Sequence, residues 1–186
     1  MLVRGTVGCN GWTLDEYIRA YRFAAGAHLG QSMPDTELPY IVHVNLVSME
    51  IIAALQIEPG YDGDLAVKCA LLHDVLEDTK VPRTQITNEF GERIANGVSA
   101  LTKDRMVEKT RRMEDSLGRI QKQPREVWMV KMADRITNLQ PPPKSWTKDK
   151  IQRYKQEAIE IHDALKSANQ YLASRLNAKI KAYRTG

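Results

Sequence analysis

The stretch Ala70-Leu71-Leu72-His73-Asp74-Val75-Leu76-Glu77-Asp78-Thr79 opens apolar and then gathers four ionisable side chains within six residues. An apolar run ending in a histidine and acids seldom serves packing alone, and it reads as the end of a buried helix pointing into a site. Side chains four apart on a helix stand one above another. The spacing therefore predicts Glu77 one turn above His73, and Asp78 one turn above Asp74. An imidazole and a carboxylate at one level can hold a metal, and carboxylates about 5.4 Å further along the axis can reach water bound to it. An isolated His-Asp pair is usually an ordinary hydrogen-bonded pair, so the reading depends on what the rest of the chain supplies.

Two further segments supply partners. His43 is the exception in an apolar stretch from Pro39 to Leu55. Burying it unpaired would cost about 1–3 kcal/mol, so it needs a partner, and a metal is one. Lys131, Asp134 and Asn138 follow at spacings of three and four, putting a cation, a carboxylate and an amide on one face of an apolar helix. Together His43, His73, Asp74 and Asp134 offer two imidazoles and two carboxylates from three separate helices. Mixed nitrogen and oxygen ligands with room for water suit a first-row divalent ion such as manganese or iron, whereas zinc more often takes fewer or softer ligands. Such an ion lowers the pKa of bound water and screens a phosphate.

The elements that must position these groups all read as helices. A first helix spans Trp12 to Leu29, with Leu14, Ile18, Tyr21, Ala25 and His28 at helical spacing, and Gly30 ends it. A polar loop follows to Leu38, and Pro39 opens the helix carrying His43. After the turn from Glu58 to Gly63, Asp64 begins the helix that carries the acidic cluster, broken between Thr79 and Pro82. Short helices cover Thr84 to Phe90 and Glu92 to Leu101, with Gly91 as the stop between them. Pro124 starts the Asp134 helix, and Pro141, Pro142 and Pro143 stop it. Lys148 to Tyr183 carries an apolar stripe long for one globular helix and open to a break. His28 and His162 read as structural. Lys103 to Arg135 is rich in Lys and Arg, either a solvated pair of helices or a wall that receives phosphates.

Length and composition fit one all-α domain over residues 1–186, with a core at about 12–155 and a C-terminal helical segment at about 148–183. With 42% hydrophobic and 27% charged residues, the profile is that of a soluble globular protein. No signal peptide is visible from Met1 to Cys9, and no apolar run is long enough to span a bilayer, so the expected location is cytoplasmic. Two cysteines, Cys9 and Cys69, exclude a disulfide framework and a cysteine zinc cluster. A net charge of +4 without a zinc finger, RNA-recognition signature or basic arm argues against a nucleic-acid binder and for anionic small molecules.

The early His in Pro39-Tyr40-Ile41-Val42-His43, the adjacent pair in His73-Asp74-Val75-Leu76-Glu77-Asp78-Thr79, and Asp134 in Val130-Lys131-Met132-Ala133-Asp134-Arg135-Ile136-Thr137-Asn138-Leu139 resemble the HD superfamily of metal-dependent phosphohydrolases. More narrowly they resemble the hydrolase domain of RelA/SpoT-type alarmone enzymes and their stand-alone form, the small alarmone hydrolases. The resemblance runs from about Tyr17 to Tyr154. It implies a single helical HD domain, one manganese ion on His43, His73, Asp74 and Asp134, and removal of 3′-pyrophosphate from guanosine tetra- or pentaphosphate. It also implies hydrolysis by the Glu77 and Asp78 pair, with Asn138 near the sugar, Tyr154 in the substrate pocket, and Thr102 and Asp104 on its wall. No synthetase domain is expected.

On this reading Glu77, with Asp78, orients or deprotonates water for in-line attack. Lys131 and basic residues from Lys103 to Arg112 balance the substrate charge. One departure stands out: the loop Gln31-Ser32-Met33-Pro34-Asp35-Thr36-Glu37 lacks the Arg-Lys pair that packs on guanine in the family. That leaves open an adenosine alarmone, or an HD-type nucleotide or NADPH phosphatase. A non-catalytic alternative is an antitoxin that binds a toxic alarmone synthetase. Partners beyond the nucleotide, whether a second copy of the chain or a cognate synthetase, are left open by the sequence.

Overall fold

The computed structural model describes residues 11–143 and 145–183, so the stretch from Met1 to Cys9 lies outside the described residues. The structure is an all-α bundle, as the periodicity predicts. The ten helices described are α1 (Leu14–Ala27), α2 (Ile41–Ile57), α3 (Gly63–Leu72), α4 (Val75–Asp78), α5 (Arg83–Phe90), α6 (Glu92–Leu101), α7 (Arg112–Ile120), α8 (Arg125–Asn138), α9 (Lys148–Leu165) and α10 (Gln170–Ala182). Extended pairing among the described residues is limited to one antiparallel bridge, Ser32 to Pro39, closing the loop before α2. No described helix is long and apolar enough to cross a membrane.

Helix α3 is the axis of the bundle. Every residue of it except Asp64 is buried, and it packs on α1, α2, α6 and α8. A helix apolar all round must be surrounded, and small residues let its neighbours approach. Ala66 and Ala70 are fully buried on it, as is Cys69, and α6 brings Gly97 against Cys69. Lys68 is the polar exception, with its ammonium 2.8 Å from Asp64 and 2.7 Å from Glu16 of α1. Helix α8 is buried from Glu126 to Ile136 apart from Trp128, between α2, α3, α9 and α10.

Side-chain caps set several starts. Asp62 accepts the Leu65 N–H at 3.0 Å, Thr147 the Lys150 N–H at 3.3 Å, and Asn169 the Leu172 N–H at 2.9 Å. Gly91 sits at φ 87°, where a side chain would be strained, and ends α5 as it starts α6. The C-terminal stripe is broken, as its length suggests, with α9 ending at Leu165 and α10 starting at Gln170.

The clearest departure from the sequence reading is at the acidic cluster. The helix from Asp64 is not continuous to Thr79 but splits at His73 and Asp74 into α3 and α4. Asp74 lies at φ −101°, ψ −2°, off helical values. The Ala70 carbonyl, which a continuous helix would offer to the Asp74 N–H, receives the His73 imidazole at 2.8 Å. Such local side-chain bonding competes with the helical ladder. The Asp78 N–H still reaches the Asp74 carbonyl at 2.9 Å, so that one-turn relation holds. The relation between His73 and Glu77 crosses the break.

The close approach of α6 to α3 gives a stability test. A Cβ at Gly97 would fall 2.7 Å from Cys69 Sγ and 3.1 Å from Val127 Cγ2. Gly97→Ala gains about 1 kcal/mol of helix propensity but overpacks a filled core at a cost of about 1–3 kcal/mol. A net loss of stability in urea denaturation is expected, with recovery when Cys69→Ala is added to the same chain. A Gly97→Ala protein more stable than its parent would show that the contact yields freely.

Candidate metal centre

Three helices deliver the site. His43 comes from the first turn of α2, His73 and Asp74 from the break after α3, and Asp134 from the last turn of α8. The two imidazoles, each 3% exposed, face one another with their Nε2 atoms 3.3 Å apart. Asp74 Oδ2 lies 2.8 Å from His73 Nε2 and 3.6 Å from His43 Nε2, and Asp134 Oδ1 lies 3.9 and 3.5 Å from the same two atoms. Donors roughly 2.1 Å from one octahedral ion stand about 3.0 Å apart when adjacent and about 4.2 Å apart when opposite. The observed separations fall in or close to that range, and His43, His73 and Asp134 converge closely enough to hold a single divalent cation, with Asp74 beside both imidazoles.

The outer contacts orient these atoms. The Ala70 carbonyl can only accept, so His73 Nδ1 carries a proton, and in the neutral ring its Nε2 lone pair faces the cluster. His43 Nδ1 lies 3.4 Å from Thr137 Oγ1, whose hydroxyl is 2.9 Å from the Asp134 carbonyl. Tyr40 donates its hydroxyl to Asp74 Oδ2 at 2.5 Å. Lys131 donates to Asp134 Oδ2 at 3.1 Å, and Asn138 donates to Asp134 Oδ1 at 2.5 Å.

Charge follows from this packing in the metal-free protein. Burial works against a charge on His43, but Asp134 and Asp74 outweigh it and raise the pKa to about 9. Burial opposes a charge on His73 in the same way, and Asp74 beside it shifts the pKa upward. Burial would raise both carboxyls. Instead His73, His43 and Tyr40 hold Asp74 well below the usual carboxylate range, and Lys131, His43 and His73 do the same for Asp134.

Beside the centre lies an open cavity of about 780 Å³. Its lining includes Glu77 and Asp78 but none of the four candidate ligands, and Asp78 Oδ2 lies 3.5 Å from the Tyr40 hydroxyl that binds Asp74. The lining also includes Thr102, Lys103, Arg105 and Lys80. Glu77 is held at both oxygens by one residue: Oε2 accepts the Lys103 backbone N–H at 3.0 Å and Oε1 accepts its ammonium at 3.0 Å. Arg105 donates to the Glu77 carbonyl. Burial raises the pKa of Asp78, and the nearby charges of Asp74 and Glu77 raise it further.

The other residues expected at the site are distributed as follows. Thr102 lines the cavity, although its hydroxyl donates to the Val98 carbonyl. Tyr154 lies under Arg135, whose guanidinium is 4.2 Å from the ring centre, with Trp146 edge-on, and burial pushes its hydroxyl up to about 12. Lys131 and Asn138, expected to meet the nucleotide, are engaged by Asp134. Asp104 is exposed, accepts the Met106 N–H, and is not part of the cavity lining. Arg112 donates to the Val107 and Arg105 carbonyls and so braces the loop before α7.

Three contributors were not singled out from sequence. Tyr40 was seen only as part of a motif. Gln31 lines the cavity and donates to the Asp78 carbonyl at 2.7 Å, held in turn by His28 Nδ1 at 2.8 Å. Arg119 donates to the carbonyls of Ser99, Ala100 and Thr102, which fixes the chain just before Lys103. The only signal for these in the sequence is a polar residue next to a motif, which does not identify a partner.

A metal must displace the proton that His43 carries below about pH 9. Apparent affinity for a divalent ion is therefore expected to rise with pH up to about 9, about tenfold per unit for the proton displaced from His43 and more steeply where His73 also releases one. Titration against a chelator of known affinity measures it. His43→Ala and Asp134→Ala are expected to lose the metal by elemental analysis; full occupancy in either variant would remove that residue from the ligand set.

The HD domain family matches residues 20–171. The chain is 30% identical over 165 residues to the guanosine-3′,5′-bis(diphosphate) 3′-pyrophosphohydrolase MESH1 of Xenopus tropicalis, covering 86% of this chain and 90% of that protein. It is 33% identical over 153 residues to the bifunctional (p)ppGpp synthase/hydrolase SpoT of Escherichia coli, covering 79% of this chain and 21% of the longer protein. A solved structure of a metazoan ortholog of SpoT that hydrolyses ppGpp superposes with a TM-score of 0.79 at 26% identity, over 92% of this chain and 97% of that one. With its buried His-His-Asp cluster able to hold a divalent ion, the chain belongs to the HD-domain family of MESH1- and SpoT-like hydrolases.

Proposed function

We propose that this chain is a cytoplasmic, manganese-dependent 3′-pyrophosphohydrolase acting on guanosine-3′,5′-bis(diphosphate) or a closely related alarmone. The observation that carries the reading is the convergent cluster of His43, His73 and Asp134, with Asp74 beside it, and an acidic pair, Glu77 and Asp78, that lines a cavity together with Lys80, Lys103 and Arg105. The names of the related MESH1 and SpoT proteins support the substrate class.

The chemistry divides among the residues. His43, His73 and Asp134, with Asp74 beside them, would hold the ion, which when bound would supply Lewis acidity and lower the pKa of water. Lys131 and Asn138 fix the Asp134 carboxylate, and Tyr40 fixes Asp74. Glu77 orients the attacking water and takes its proton as the water adds in line to the phosphorus next to the 3′ oxygen. The bond from phosphorus to the 3′ oxygen breaks and pyrophosphate leaves. The proton that Glu77 takes passes to the departing 3′ oxygen, and Asp78 helps to orient the same water. Lys103, Arg105 and Lys80 balance the charge of the phosphates, with Thr102 on the cavity wall; Tyr154, packed under Arg135, lies outside that lining.

A second reading concerns the base. Ala27 and Gln31 line the cavity on the side of the loop before α2, and that loop provides no cation to pack on guanine. An uncharged wall of this kind accepts adenine as readily, which keeps adenosine alarmones and NADPH as candidate substrates.

The test uses manganese-loaded protein with guanosine tetraphosphate, its adenosine counterpart and NADPH in parallel, with products separated by chromatography. Pyrophosphate from the alarmones is expected, and orthophosphate from NADPH alone would replace the reading with an HD-type phosphatase. Glu77→Gln is expected to keep its metal and fold while losing at least about 100-fold in turnover. A wild-type rate in that variant would remove Glu77 from the mechanism.

A further inference from the structure

The contact between Lys103 and Glu77 is unequal in its two halves. Glu77 Oε2 accepts a backbone N–H from Lys103, and that donor is fixed because Arg119 binds the Thr102 carbonyl immediately before it and the carbonyls of Ser99 and Ala100 in the same turn. Glu77 Oε1 accepts the ammonium at the end of a flexible four-carbon stem. The stem is half-exposed while Glu77 is mostly covered, so the ammonium can leave toward the cavity and the carboxylate cannot follow. Arg105, bound to the Glu77 carbonyl, holds the same residue from its backbone side.

We propose that Lys103 is a substrate-sensing residue: its ammonium occupies Glu77 Oε1 in the free protein and passes to a phosphate oxygen in the cavity, freeing Oε1 while the backbone N–H keeps Oε2 in place. This rests on the assignment of Glu77 to the reaction. Its consequence is selection for substrates that carry more than one phosphate. One phosphate engages the metal centre, and a second, lying in the cavity, draws the ammonium away. A small ester with a single phosphate leaves Glu77 masked. Glu77 needs no movement to become active, because the anchor that positions it is the one that stays.

The experiment compares guanosine tetraphosphate with bis(p-nitrophenyl) phosphate, a substrate with one phosphorus, in wild-type protein, Lys103→Met and Lys103→Gln. In both variants kcat/KM for the single-phosphate ester is expected to rise at least fivefold, because Glu77 is unmasked. KM for the tetraphosphate is expected to rise at least fivefold, because the ammonium is gone. Parallel losses on both substrates in both variants, as for a merely structural lysine, would overturn the proposal.

A readout without turnover separates this from the functional assignment. In protein labelled with 15N at the lysine Nζ atoms and loaded with excess magnesium, the Lys103 signal is identified by its loss in Lys103→Met. It is expected to be protected from solvent exchange in the free wild type, unprotected in Glu77→Gln, and shifted in the wild type by inorganic pyrophosphate. A wild-type signal that pyrophosphate leaves unchanged, or that is unprotected from the start, overturns the proposal whichever nucleotide the protein hydrolyses. Inactive wild-type protein with a signal that responds as expected would instead count against Glu77's assigned reaction alone.

Discussion

Two buried imidazoles and two largely covered carboxylates, all within 4 Å of a neighbour in the set, cannot share a mostly apolar interior without a positive charge among them. Desolvating an uncompensated carboxylate costs several kcal/mol, and two at one point repel. In the metal-free protein protons serve as the positive charge, which is why the pKa of His43 is raised to about 9 and that of His73 is also raised. A divalent ion meets the same requirement with one centre instead of two protons. Much else in the fold follows from keeping these atoms converged: an α3 that is apolar on every side, a break that turns His73 and Asp74 out of it, and an α8 that brings Asp134 with Lys131 to neutralise its second oxygen.

What the sequence disclosed and what it hid divide along a physical line. His43, His73, Asp74 and Asp134 were legible because ionisable residues in apolar segments need a partner, and few chemistries satisfy several at once. The helices were legible from their period, and their ends from Gly91, Pro124 and the prolines after Leu139. The break at His73 was not. It depends on a side chain bonding the carbonyl three residues back, and the same residue types in a continuous helix would look identical in the sequence. Nor could spacing show that Lys131 and Asn138 face Asp134 before they face a ligand. Three- and four-residue spacing says which side chains meet, but not whether the meeting uses up their donors.

The hidden contacts are the long-range ones. Gln31 reaches the Asp78 carbonyl across 47 residues, and Lys103 reaches Glu77 across 26. Such partners are set by how helices stack, and composition alone made the basic stretch after Leu101 look like either a solvated surface or a phosphate wall. It is divided between the two. Arg112 and Arg119 bind main-chain carbonyls and brace the loop, Arg111 and Glu114 form an exposed pair, and Lys103 and Arg105 face the cavity.

This division has a consequence for how the site can vary. The candidate ligands stand on α2, α3 and α8 and at their ends, within a core where a change of one methyl group is felt. Beside α4 and the residues after it, the cavity walls come from the loop before α2 and the loop before α7, whose backbones are held by a β-bridge and by arginine bonds to carbonyls. Side chains on those loops can change without disturbing the cation site, as the absence of a guanine-packing Arg-Lys pair from the loop containing Gln31 illustrates. The cavity wall can therefore vary within this architecture while the cation site stays constant. Glu77 belongs to both halves: its side chain is anchored to the second loop and its backbone to the helix that follows the ligands, so a shift of that loop would move the proposed base relative to the metal centre.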